Sequence, residues 1–132
     1  MAIRYFHRDE PGLMVPMISS DARLVVWLGA GAKTANMNFV VMEPGEANRP
    51  HIHAESEDTI FILEGRGTIK DHSNDIVMEF SAGDVIHIPI GLEHAVRADR
   101  GERIISVGGP CPADTGMLRA IGVDVDALLQ QV

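Results

Sequence analysis

Two histidines two residues apart, in the run Arg49-Pro50-His51-Ile52-His53, are the first residues whose spacing invites chemistry. On a strand, side chains at i and i+2 point to the same face. Two imidazoles then converge, and paired ring nitrogens suit a transition-metal ion. An acidic cluster, Glu55-Ser56-Glu57-Asp58, follows at once and precedes the apolar run 59–63. A hairpin return would carry one of its carboxylates back beside the two imidazoles. His94 stands about forty residues further on, after Pro89-Ile90-Gly91. Taken singly, each feature has a plainer reading. A His-x-His pair can be a solvated strand face, an acidic cluster a solvated turn, and one histidine opening a strand carries no message.

Short strands must position these side chains, and short apolar runs fill the chain. Residues 23–28 (RLVVWL), 36–42 (NMNFVVM), 59–63 (TIFIL), 68–70, 76–80, 85–88, 95–98 and 103–107 (RIISV) are rich in Val and Ile. Their length suits strands and is too short for most helices. Turn residues punctuate them: Pro44-Gly45, Gly65-Arg66-Gly67, Asn74-Asp75, Gly83-Asp84 and Arg100-Gly101. Closely spaced strands without helical periodicity predict an antiparallel all-β sandwich or barrel. Only the tail, residues 124–131, reads as a helix, with Asp124 as its cap. Runs 59–63 and 85–88 barely alternate, so both of their faces need cover. A second sheet or a second subunit would supply it, and a homodimer is expected.

A chain of 132 residues is read as one domain over residues 1–132. With 45% hydrophobic and 23% charged residues, its composition is globular. The net charge of −8 repels phosphate backbones, and no basic patch offsets it, so no nucleic-acid partner is expected. No apolar run is long enough to span a bilayer, and no membrane partner is expected. The first ten residues lack an apolar h-region, and the single cysteine, Cys111, can form no intrachain disulfide. The expected setting is the cytoplasm.

The joint pattern resembles the cupin superfamily. Its first motif reads here as Gly45, five residues, His51-Ile52-His53, four residues, Asp58, six residues, Gly65. The second reads Gly83, five residues, Pro89-Ile90-Gly91, two residues, His94, three residues, Ala98. Residues 45–98 thus form the motif core. Two positions depart from the family pattern: the glutamate position, counted back from Gly65, holds Asp58 (counted forward from His53 it falls on Glu57, with seven residues rather than six before Gly65), and Ala98 replaces an asparagine that is not a ligand in the family. The resemblance implies an antiparallel double-stranded β-helix, or jelly-roll barrel, with a short C-terminal helix. It also implies His51, His53, His94 and either Asp58 or Glu57 as ligands of one divalent transition metal: Fe, Mn, Ni, Co or Zn. Cys111 lies outside both motifs, so thiolate ligation has no support.

Beyond the ligands, His87 shares a strand face with Val85 and Pro89. It reads either as a catalytic acid–base group in the pocket or as a histidine hydrogen-bonded between sheets. Asn36 and Asn38 share a face and, with Met42, are substrate-binding candidates. Function is less constrained, because one fold serves many chemistries. The expected activity is that of a metalloenzyme on a small organic substrate, of dioxygenase or of isomerase, lyase or cyclase type. The alternative is a non-catalytic cupin that binds or senses a sugar or organic acid. No cluster of Arg or Lys accompanies the motifs, which disfavours a phosphorylated substrate.

Overall fold

The computed structural model describes residues 2–131. Nine strands run β1 Leu13–Met14, β2 Asp21–Val26, β3 Met37–Met42, β4 Glu57–Glu64, β5 Arg66–Asp71, β6 Ile76–Ser81, β7 Val85–Ile88, β8 His94–Ala98 and β9 Ile104–Cys111. Two helices follow, α1 Thr115–Ala120 and α2 Val125–Gln131. All strand pairings are antiparallel, in a six-stranded sheet ordered β1-β2-β3-β9-β4-β7 and a three-stranded sheet ordered β6-β5-β8. This is the jelly-roll barrel that the strand pattern and the resemblance predict. No helix among the described residues is long and apolar enough to cross a membrane.

Inward residues of both sheets meet in one core of Met42, Ile62, Ile69, Phe80, Ile88, Ala98 and Ile104. A second core joins Val15, Ala22, Leu24, Trp27 and Leu28 to Leu118 of α1 and Val125 of α2. Val40 packs against both. The predicted tail helix is present, and Asp124 Oδ1 accepts the Ala127 N–H as its cap. The preceding helix, α1, was not expected from sequence, since six residues cannot display a helical period. The segment of residues 27–28, expected as strand, leaves β2 as the start of a 3-10 turn over Leu28–Ala30.

Gly65 lets the chain cross from β4 in the large sheet to β5 in the small one. Its φ of +88° is left-handed, and a Cβ there would lie 2.0 Å from the Arg103 carbonyl oxygen. Only glycine avoids both conflicts.

Candidate metal centre

Three sequence-distant segments bring the histidines together. Residues 47–51 run beside β8 as an irregular fourth strand of the small sheet, with bridges Ala47↔Arg97 and His51↔His94. Pro50 interrupts regular pairing because it has no N–H to donate. Asn48 compensates nearby: its N–H donates to the Val96 carbonyl, and its side-chain oxygen accepts the Val96 N–H at 2.8 Å. His51 and His94 exchange both backbone hydrogen bonds at 3.0 Å. Residues paired in this way present side chains on the same face, and their ring centroids lie 4.3 Å apart. His53 follows on the same side as His51, and the Gly91 N–H anchors it by donating to its carbonyl.

The ligand nitrogens of His51, His53 and His94 lie within 4.8 Å of one another. Each ring is held through Nδ1. That of His51 donates to the Arg49 carbonyl (2.7 Å) and that of His94 to the Leu92 carbonyl (2.9 Å). His53 Nδ1 instead meets Asp114 Oδ2 at 2.7 Å. With Nδ1 carrying the proton, Nε2 of each ring is left to face the centre, as hydrogen-bonded metal-ligating histidines require.

Charge state follows from burial and neighbours. Burial pushes His51 and His94 below the usual imidazole value, toward the neutral form that ligates. Burial also acts to lower His53, but hydrogen bonds and charges from Asp114 and Asp58 outweigh it and push the ring up to about 9. Burial acts to raise Asp114, yet the bonds it accepts from His53 and the Met117 N–H hold it below the usual carboxylate range.

Of the two candidate carboxylates, strand alternation turns Asp58 inward with Ile60 and Ile62, at 5% exposure. Its Oδ2 lies 3.2 Å from His53 Nε2. Its Oδ1 is buried with no hydrogen-bond partner among the described residues. A buried carboxylate oxygen without a partner is costly, and a cation bound between it and the imidazoles would satisfy it. The donor set therefore fits a divalent transition metal. Glu57 turns outward.

His87 requires a correction. It lies on the outer face of β7, where its Nε2 meets Glu57 Oε1 at 2.8 Å, with both side chains more than half exposed. Ile86 and Ile88 take the inward positions, so His87 is not a pocket residue. Of the three substrate-binding candidates, Asn38 and Met42 line the cavity. Asn36 does not. It lines a separate outer depression and reaches the cavity only through the bond from its Nδ2 to Asn38 Oδ1 (3.1 Å).

Sequence reasoning missed Asn48 and Ser106, which also line the cavity, and Asp114 behind His53. Asp114 had a local signal, since an aspartate before Met117, Leu118 and Ile121 reads as a helix N-cap. The cavity encloses about 70 Å³. This is well below the roughly 300–1,000 Å³ of a site for drug-sized ligands, so a small molecule or one end of a larger one enters. Its remaining wall is mainly Ile and Val, and no Lys, Arg or Glu lines it among the described residues.

The Cupin_2 family model, described as a cupin domain, matches residues 38–107. Among solved structures, the polyketide cyclase RemF from Streptomyces resistomycificus superposes with a TM-score of 0.70 at 21% identity, covering 85% of this chain and 83% of that one. A Cupin 2 conserved barrel domain protein from Salinispora arenicola gives 0.62 at 22% identity, covering 100% and 98%. A double-stranded β-helix protein from Klebsiella pneumoniae gives 0.64 at 23%, covering 84% and 91%. At these identities the likeness is one of fold. No curated protein matches the chain.

Proposed function

We propose, on the premise that this chain belongs to the cupin family, that it is a metal-dependent enzyme acting on a small, largely apolar molecule bearing oxygen donors. The observation that carries this reading is the convergence of three Nδ1-anchored imidazoles on one point beside the unpaired Asp58 oxygen. One divalent ion (Fe, Mn, Ni, Co or Zn) held by His51, His53, His94 and Asp58 supplies Lewis-acid polarisation of substrate oxygens or, as iron, oxygen activation.

The chain's own residues do the rest. Ile60, Ile86 and Val96 form an apolar wall that excludes water from the reacting end. Asn38, Asn48 and Ser106 supply uncharged polar groups to orient a carbonyl or hydroxyl. Isomerase, lyase or cyclase chemistry is the favoured branch. The fold neighbour RemF is described as a polyketide cyclase, while a bound Asp58 is compatible with either branch. Dioxygenase chemistry is the other branch. A second reading, a non-catalytic sugar- or acid-binding module, draws support from one observation: outside the histidine–aspartate cluster the described residues that line the cavity are apolar or uncharged polar side chains. The net charge of −8 and the uncharged wall favour a small-molecule partner over nucleic acid or membrane. Exposed Phe61, Leu63 and Val85 on the outer sheet face support the homodimer. The cytoplasm remains the proposed setting.

The test is metal content by elemental analysis of untagged protein beside a His51→Ala/His94→Ala double variant. About one equivalent of a first-row divalent metal per chain, lost in the double variant, is expected. Turnover of linear polyketones without oxygen uptake then supports the favoured branch, and oxygen uptake with diketones or phenols the other. No metal above the double variant's background after reconstitution refutes the enzyme and leaves a binding barrel.

A further inference from the structure

His53 differs from its two companions in how its ring is held. His51 and His94 each donate Nδ1–H to the carbonyl two residues upstream, Arg49 and Leu92. The equivalent acceptor for His53 would be the His51 carbonyl. That carbonyl already accepts the His94 N–H at 3.0 Å in the bridge that seats both histidines. That carbonyl has a second lone pair, but the His53 ring takes a different acceptor. It comes from a position 61 residues away.

We propose that Asp114 is the positioning residue for His53, one carboxylate that orients the ring and caps α1, so that loading of the metal centre and docking of the C-terminal helices are coupled. Its Oδ2 meets His53 Nδ1 at 2.7 Å, and its Oδ1 accepts the Met117 N–H at 3.0 Å. Packing keeps the carboxylate in place. Leu118 of α1, 1% exposed, sits in the core with Val15, Trp27 and Val125. Ser56 Oγ–H donates to the Pro112 carbonyl at 2.6 Å, tying the approach to α1 to the segment ahead of β4.

Both oxygens of Asp114 accept, and an asparagine has only one acceptor. Asparagine can keep the cap or keep the His53 bond. If its amide N–H₂ faces the ring, Nδ1 must become the acceptor and Nε2 carries the proton into the centre, which blocks ligation. Serine separates the two roles, because its hydroxyl caps a helix as aspartate does and is too short to reach the ring. Linkage makes the coupling reciprocal: whatever tightens the centre also fastens the helix.

This inference rests on the proposed metal centre, and cobalt(II) as the probe keeps the two apart. Affinity would be measured by chelator competition for wild type, Asp114→Asn and Asp114→Ser. Hydrogen exchange of residues 115–120 would be followed with and without cobalt. Both variants should bind about 10–100-fold more weakly. Asp114→Ser should keep the circular dichroism of wild type, with a lower metal-free melting temperature because the buried His53 bond is lost. Exchange in α1 should slow on loading in wild type and not in Asp114→Ser. A wild-type chain that takes up no cobalt overturns the metal centre and this inference together. Wild-type binding matched by both variants to within about threefold overturns this inference alone.

Discussion

Replacing Asp58 with asparagine preserves shape while removing charge, and its effect should depend on whether metal is bound. Asp58 is 5% exposed, with Oδ2 3.2 Å from His53 Nε2 and Oδ1 unpaired among the described residues. Asparagine turns a charge-assisted hydrogen bond worth roughly 1.5–3 kcal/mol into a neutral one worth roughly 0.5–1.5 kcal/mol. Relief from burying a carboxylate opposes that loss. Metal-free stability should therefore change by no more than about 1 kcal/mol.

The metal-bound state should respond differently. At cobalt(II) about 100-fold above its Kd, wild type gains about 2.7 kcal/mol. Losing a direct donor should weaken affinity at least as much as the roughly 10–100-fold seen when an outer partner is lost. At the 100-fold end, the same cobalt concentration merely equals the variant's Kd, and the gain falls to about 0.4 kcal/mol. For a domain of this size 1 kcal/mol moves Tm by roughly 3–5 °C. Thermal unfolding with and without cobalt should then show a rise of about 10 °C in wild type and about 1–2 °C in Asp58→Asn. A full cobalt-dependent rise in the variant would refute the assignment and leave a three-imidazole centre. So would a large metal-free loss with the rise unchanged, which would make Asp58 a structural residue.

Three other outcomes follow from the same geometry. His87→Ala and Glu57→Gln, both on the outer face, should leave cobalt affinity within roughly twofold of wild type, since exposed pairs contribute little; a tenfold loss in chelator competition would return His87 to the site. Gly65→Ala forces a Cβ to 2.0 Å from a backbone oxygen at a positive φ, and should lower the urea midpoint by at least about 2 kcal/mol of stability or prevent folding; a midpoint within error of wild type would contradict the crossing described here. Leu118→Ala, at a side chain 1% exposed, should cost about 2–5 kcal/mol in the same assay, and a loss under about 1 kcal/mol would mean that the helices are loosely docked.

Much of the site was legible because its chemistry is written in local spacing. His51 and His53 share a face through strand period, and the register counted back from Gly65 favours Asp58 over Glu57, which is how β4 turns them. His87 was not legible for a physical reason. In Val85-Ile86-His87-Ile88 the outward positions include an apolar valine, so hydropathy cannot say which face is inside. The same limit applies to Asn36: sharing a face with Asn38 did not reveal that only Asn38 reaches the cavity. Strand β1 has two residues and α1 six, too few to display any period. Asp114 has a readable cap signal, but its second partner depends on where the chain returns after β9, and no local pattern encodes that.

The placement of the donors explains why so short a chain can hold them in register. His51 and His94 belong to the small-sheet side, Asp58 to the large sheet, and His53 leans on a residue beyond both. A cation bound among them would join the two sheets and the C-terminal segment at one point, near where Met42, Ile62 and Ile104 already close the barrel. The family match ends at residue 107, short of Asp114. The matched core therefore contains the proposed donors, while Asp114, proposed to orient one of them, lies outside it. Changes in the C-terminal segment should alter how tightly the centre binds without altering which residues bind, because Asp114 holds the ring at Nδ1, away from the nitrogen that faces the centre.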